Sequence, residues 1–97
     1  MEINEAFQAV LIWCDDWSQD TLLPNAQWFQ PPFNHPQRMI VCMEYQNSVI
    51  HPRVTVTREI DLLQLARSQH PEADLELLLG GAARLLDENA APKQRAA

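Results

Sequence analysis

Glycine is nearly absent from this sequence: among 97 residues only Gly80 and Gly81 occur, side by side in a leucine-rich stretch. Phosphate-cradling loops and dinucleotide fingerprints both need a glycine-bearing turn after a strand, so neither is expected. Lysine is scarcer still, with Lys93 alone, and the arginines are scattered, the first at Arg38. A domain that neutralises nucleic-acid phosphates needs clustered cations, so direct nucleic-acid binding is disfavoured, as is attraction to an anionic membrane surface. No apolar run approaches the ~20 residues that span a bilayer. The first residues hold Glu2 and Glu5 in place of the basic start of a signal or transit peptide. The expected compartment is the cytoplasm. Cysteine is limited to Cys14 and Cys42, both in apolar surroundings, too few for a disulfide framework and expected to stay reduced and structural.

What is present suits one small folded domain. The hydrophobic share is 46% and the charged share 21%, which excludes a wholly disordered chain. A chain this short supports a single modest core. The reading is a domain over residues 1–88 followed by a flexible, polar tail over 89–97.

Hydrophobic spacing predicts a helix over residues 4–19, with Ile3, Ala6, Phe7, Val10, Trp13, Cys14 and Trp17 on one stripe and Asn4 as its N-cap. Leu11 and Ile12 fall off the stripe, which leaves a buried strand over 7–14 as the alternative. From Thr21 to Gln37 no period is visible. Pro24, Pro31, Pro32 and Pro36 break helices, while Leu22, Leu23, Trp28, Phe29 and Phe33 are too apolar for a solvated linker. Residues 39–57 read as an antiparallel β-hairpin, with Asn47-Ser48 as the turn and Pro52 confining the second strand to an edge. Arg58–Gln69 reads as a helix capped by Thr57. A last helix starts at Pro71, with Leu75, Leu78, Leu79, Ala82, Leu85 and Leu86 as its stripe. Gly80-Gly81 within it implies that another backbone approaches the small patch Gly80–Ala83 closely, or that the helix breaks there. The fold class is therefore α+β: an N-terminal helix, a long aromatic and proline-rich loop, a hairpin and two C-terminal helices. A lone hairpin is marginally stable, so its apolar face must pack on helices or on a second copy, and a homodimer is one expected arrangement.

Motifs for chemistry are weak. His35, His51 and His70 each precede a proline and so sit at element ends. With Cys14 and Cys42 they supply zinc-ligand types, but no pair has ligand spacing. Asp16-x-Ser18-x-Asp20 resembles the start of a calcium loop, yet Thr21 replaces the turn glycine and Gln27 the final glutamate. No metal or cofactor is expected. The acidic group is read instead as a helix end neutralised by Arg38 or Arg53, or as a landing site for a partner's arginine.

Charge and aromatics carry the functional expectation. The net charge is −6, and residues 1–37 hold only acidic charges. All seven aromatics lie at or before Tyr45, five of them within Trp13–Phe33. Rings on a proline-stiffened segment make interface hot spots at little entropic cost. The expectation is a non-enzymatic, acidic protein–protein interaction module (an adaptor, chaperone or inhibitor) that binds a protein partner through Trp17, Trp28, Phe29, Phe33, Asp15, Asp16 and Asp20. The alternative is an acidic mimic of nucleic acid that sequesters a DNA- or RNA-binding protein. A weaker one is a small cysteine- or metal-dependent enzyme.

Overall fold

The computed structural model describes residues 1–96, with side chains described through Ala90. Six elements follow in order: α1 (Ile3–Asp20), β1 (Gln27–Phe29), β2 (Arg38–Tyr45), β3 (Val54–Asp61), α2 (Leu62–Arg67) and α3 (Pro71–Ala96). The three strands form one antiparallel sheet in the order β1-β2-β3, and the arrangement is α+β. Of the flexible tail expected over 89–97, the side chains from residue 91 onward and all of Ala97 lie outside the described residues.

Helix α1 forms because Ala6, Val10 and Cys14 recur every four residues and are completely buried. The off-stripe Ile12 is 60% exposed, so the strand alternative over 7–14 is set aside. The cap is Glu2 rather than Asn4: the Glu2 backbone N–H donates to Glu5 Oε1 at 2.9 Å, and the terminal ammonium donates to the Ala66 carbonyl at 3.0 Å. The second of these bonds ties the start of α1 to α2.

Two sequence expectations are corrected in the sheet. Gln27–Phe29, read as loop, is a strand paired with Glu44–Cys42, so the hairpin is part of a three-stranded sheet. Asn25 turns the chain into it at φ 52, a left-handed conformation that asparagine tolerates, and its side-chain amide donates to the Gln46 carbonyl at 2.9 Å. Arg58–Asp61, read as the first turn of a helix, continues β3 in unbroken register with Arg38–Val41. The helix starts four residues later than expected, and its cap is Asp61, whose Oδ1 accepts from the Gln64 N–H at 3.0 Å. A strand extends here because Val54, Val56, Arg58 and Ile60 alternate toward the core, while Thr55, Thr57 and Glu59 point to solvent.

On β2, Met39, Val41, Met43 and Tyr45 point into the core, where they meet Ala6, Val10 and Cys14 of α1, Leu62 and Leu65 of α2, and Leu75, Leu79 and Leu86 of α3. All three helices thus cover one face of the sheet. The opposite face carries Gln27, Phe29, Ile40, Cys42, Glu44, Thr55 and Thr57. Gly80-Gly81 does not break α3. A Cβ at Gly80 would lie 2.9 Å from Glu76 Oε2, a carboxylate of the same helix, while the Trp13 ring from α1 lies at an ordinary contact distance of 3.9 Å, so no other backbone approaches closely here.

Candidate partner-binding surface

Where α1 crosses α3, two adjoining hollows share Trp17, Asp20 and Ala83 and so form one groove. Trp13 and Trp17, half-buried and one helical turn apart, form its floor. The Trp13 indole is held by its Nε1–H, which donates to Glu76 Oε1 at 2.9 Å. Asp16 and Asp20, also one turn apart, make the α1 rim, with Arg84 on the α3 side and Asp87 further along. At the far end Leu22 is 99% exposed.

The electrostatics of this groove follow from the helix end. The last turn of α1 holds no basic residue, although the carbonyl end of a helix favours cations. The neutralisation expected from Arg38 or Arg53 does not occur. Arg38 pairs with Glu59 at 3.3 Å and with Asp61 at 4.0 Å, and Arg53 with Glu44 at 3.4 Å. Both arginines are held by strand carboxylates, and Arg84, although it lines the same groove, pairs with neither aspartate, so among the described residues Asp16 and Asp20 form no ion pair.

The expected binding set is divided by the sheet. Trp17, Asp16 and Asp20 lie together in the groove. Asp15 turns toward the sheet, where its Oδ1 accepts from the Trp28 indole N–H at 2.9 Å. Trp28 pairs opposite Met43 on the helix-covered side, and Phe29 opposite Cys42 on the uncovered side. Phe29 is 43% exposed there. Phe33 stacks on His35, with centroids 6.2 Å apart and planes 12° from parallel, beside a separate cleft that includes Ile3, Phe7 and Arg38. Sequence reasoning missed Trp13, Glu76 and Leu22 as groove residues. The spacing Trp13–Trp17 beside Asp16–Asp20 was the available signal, since two pairs at i, i+4 one residue out of phase lie on adjacent stripes.

The remaining reactive groups lie elsewhere. Burial pushes the Cys14 thiol up to about 12, with the neighbouring Asp15 carboxylate adding to the shift. It therefore stays protonated and a poor nucleophile near neutral pH. Cys42 is on the other side of the sheet, its Sγ 3.5 Å from Thr57 Oγ1. The three histidines are exposed, and among the described residues no group of three His, Cys, Asp or Glu side chains is arranged to hold a metal ion. No described helix is long and apolar enough to cross a membrane. What the groove offers chemically is cation binding beside aromatic faces. In comparisons with known proteins, no family model, curated protein or solved structure matches the chain.

Proposed function

We propose that the chain is a non-enzymatic protein-interaction module that docks a basic, partly apolar segment of a protein partner along the α1–α3 groove. The observation that carries this reading is the juxtaposition of half-buried indoles with Asp16 and Asp20, carboxylates that the protein's own described cations leave unpaired. Carboxylates at a helix C-terminus destabilise the helix that bears them, which suits a site whose neutralising charge comes from a partner. A guanidinium entering there gains charge-assisted hydrogen bonds from Asp16 and Asp20 and a cation–π contact with Trp17. The reading includes the cytoplasm as compartment, a setting that suits the free thiols of Cys14 and Cys42.

The test is calorimetric titration with an amphipathic arginine–leucine peptide at low and high salt. Asp16→Asn with Asp20→Asn is expected to weaken binding by about tenfold, and Trp17→Ala comparably. Affinity that is partly retained at high salt supports docking on the indole floor. Affinity abolished by salt, and lowered equally by neutralising Glu72 and Asp74 at the start of α3, favours the nucleic-acid mimic instead. Absence of binding, or binding indifferent to both sets of substitutions, overturns the reading.

A further inference from the structure

Strand β3 ends the sheet, and its outward edge has a definite hydrogen-bonding pattern. The Leu62 N–H donates to the Gln37 carbonyl at 2.8 Å, one step beyond the Arg38–Asp61 pair. Bonded and non-bonded pairs alternate in an antiparallel ladder. With the register unbroken, Val54, Val56, Arg58 and Ile60 therefore spend their backbone groups on β2, while Thr55, Thr57 and Glu59 direct theirs away from it. The Thr57 carbonyl on this outward edge accepts from the Arg58 guanidinium at 3.0 Å, a contact that strand pairing there would share or displace. The edge spans eight residues without a proline or a bulge, two of the common guards against edge pairing.

The two ends of that edge carry complementary apolar features. Before β3, the loop tip presents Val49 and Ile50, 93% and 86% exposed. At its other end a groove runs between Ile60, Leu65, Leu75 and Leu78, with Leu77 at 75% exposure and Glu59, Asp61, Gln64 and Asp74 also lining it. Antiparallel pairing about a two-fold axis sets the loop tip of each copy toward the groove of the other.

We propose that β3 pairs with β3 of a second copy of this chain, centred on Thr57, to make a continuous six-stranded sheet. Charge and backbone both suit this register. Centring on Thr57 matches Thr55 with the partner's Glu59 and Thr57 with the partner's Thr57, so every outward backbone group on these residues finds a mate. It also sets Val54 opposite the partner's Ile60 and Arg53 opposite the partner's Asp61. Centring one residue later would place Arg58 against the partner's Arg58, a like-charge pair that is destabilising. This surface is separate from the α1–α3 groove, and the inference does not depend on the proposed function.

Sedimentation equilibrium between about 1 µM and about 1 mM is the test, a range that covers weak and moderate self-association. The wild-type chain is expected to approach twice its 11.1 kDa mass. Thr57→Pro removes an outward N–H and leaves the ladder to β2 intact, and it is expected to give a monomer. Ile50→Asp, at an exposed position that the fold does not use, is expected to raise the dissociation constant by at least about tenfold and stands as the deciding variant if Thr57→Pro fails to fold. A monomeric wild type throughout that range overturns the proposal. So does a dimer whose affinity is unchanged by the folded variants.

Discussion

Cys14 illustrates how one residue's position sets a measurable property. Its side chain is completely enclosed in the core beside Val10, and its thiol is held up to about 12 against an ordinary value of 9.0. In the unfolded chain the thiol ionises near its ordinary value, while in the folded chain it keeps its proton until much higher pH. Unfolding therefore releases a proton above pH 9, and stability falls as pH rises from about 9 toward about 12. Cys14→Ala is expected to cost about 1 kcal/mol at neutral pH through the lost packing. It is also expected to flatten the alkaline decline, which urea unfolding at a series of pH values would read. A decline of equal slope in both proteins would assign it to other groups. Gly80 works through space rather than charge. It leaves room for the Glu76 carboxylate that holds the Trp13 indole. The groove floor thus rests on a glycine that helix propensity alone would disfavour by ~1 kcal/mol.

At the scale of elements, α1 trades stability for charge. Asp16 and Asp20 lie at a C-terminal end without a basic residue in its last turn. Asp16→Asn and Asp20→Asn are each expected to stabilise the protein by about 0.3–1 kcal/mol at low ionic strength, while weakening the peptide binding proposed for the groove. Chemical denaturation of the two variants would show unchanged or lower stability if the helix end were already neutralised. This helix was legible in the sequence because its buried positions keep a period of four through Ala6, Val10 and Cys14, and α3 was legible for the same reason. The first half of β3, Val54–Thr57, was legible from its alternation, but its second half was obscured because the inward row includes Arg58, which hides the alternation, while Ile60, Leu62, Leu63 and Ala66 fit a helical stripe equally well. Strand β1 spans three residues, too few for a period of two to show. Missing it also misplaced part of the candidate site. In the sequence Trp28 and Phe29 read as one aromatic patch on a loop, but neighbours on a strand must point to opposite faces, and only Trp28 reaches Asp15. The groove itself required knowing that α3 crosses α1 at Trp13, a long-range fact that no local spacing encodes.

On the scale of the whole molecule, the two surfaces lie on different elements, the groove on α1 and α3 and the pairing edge on β3. A net charge of −6 on so small a chain opposes self-association at low salt, so the inferred dimer should tighten as salt rises while binding of a basic peptide weakens. That opposition separates the two activities in a single salt series. Each dimer also carries two grooves, so it can engage two basic segments displayed close together, and the second engagement is intramolecular. Ile50→Asp leaves the groove untouched, and its affinity for free peptide should equal that of the wild type. On a surface densely coated with the same peptide, wild-type chains should dissociate more slowly than the Ile50→Asp variant, by on the order of 10²-fold where both grooves are engaged. Surface plasmon resonance at high and low peptide density measures this. A difference that vanishes at low density assigns slow release to paired grooves. Equal release at high density would mean that the dimer does not present both grooves to one surface, and the link between pairing and partner binding would fail.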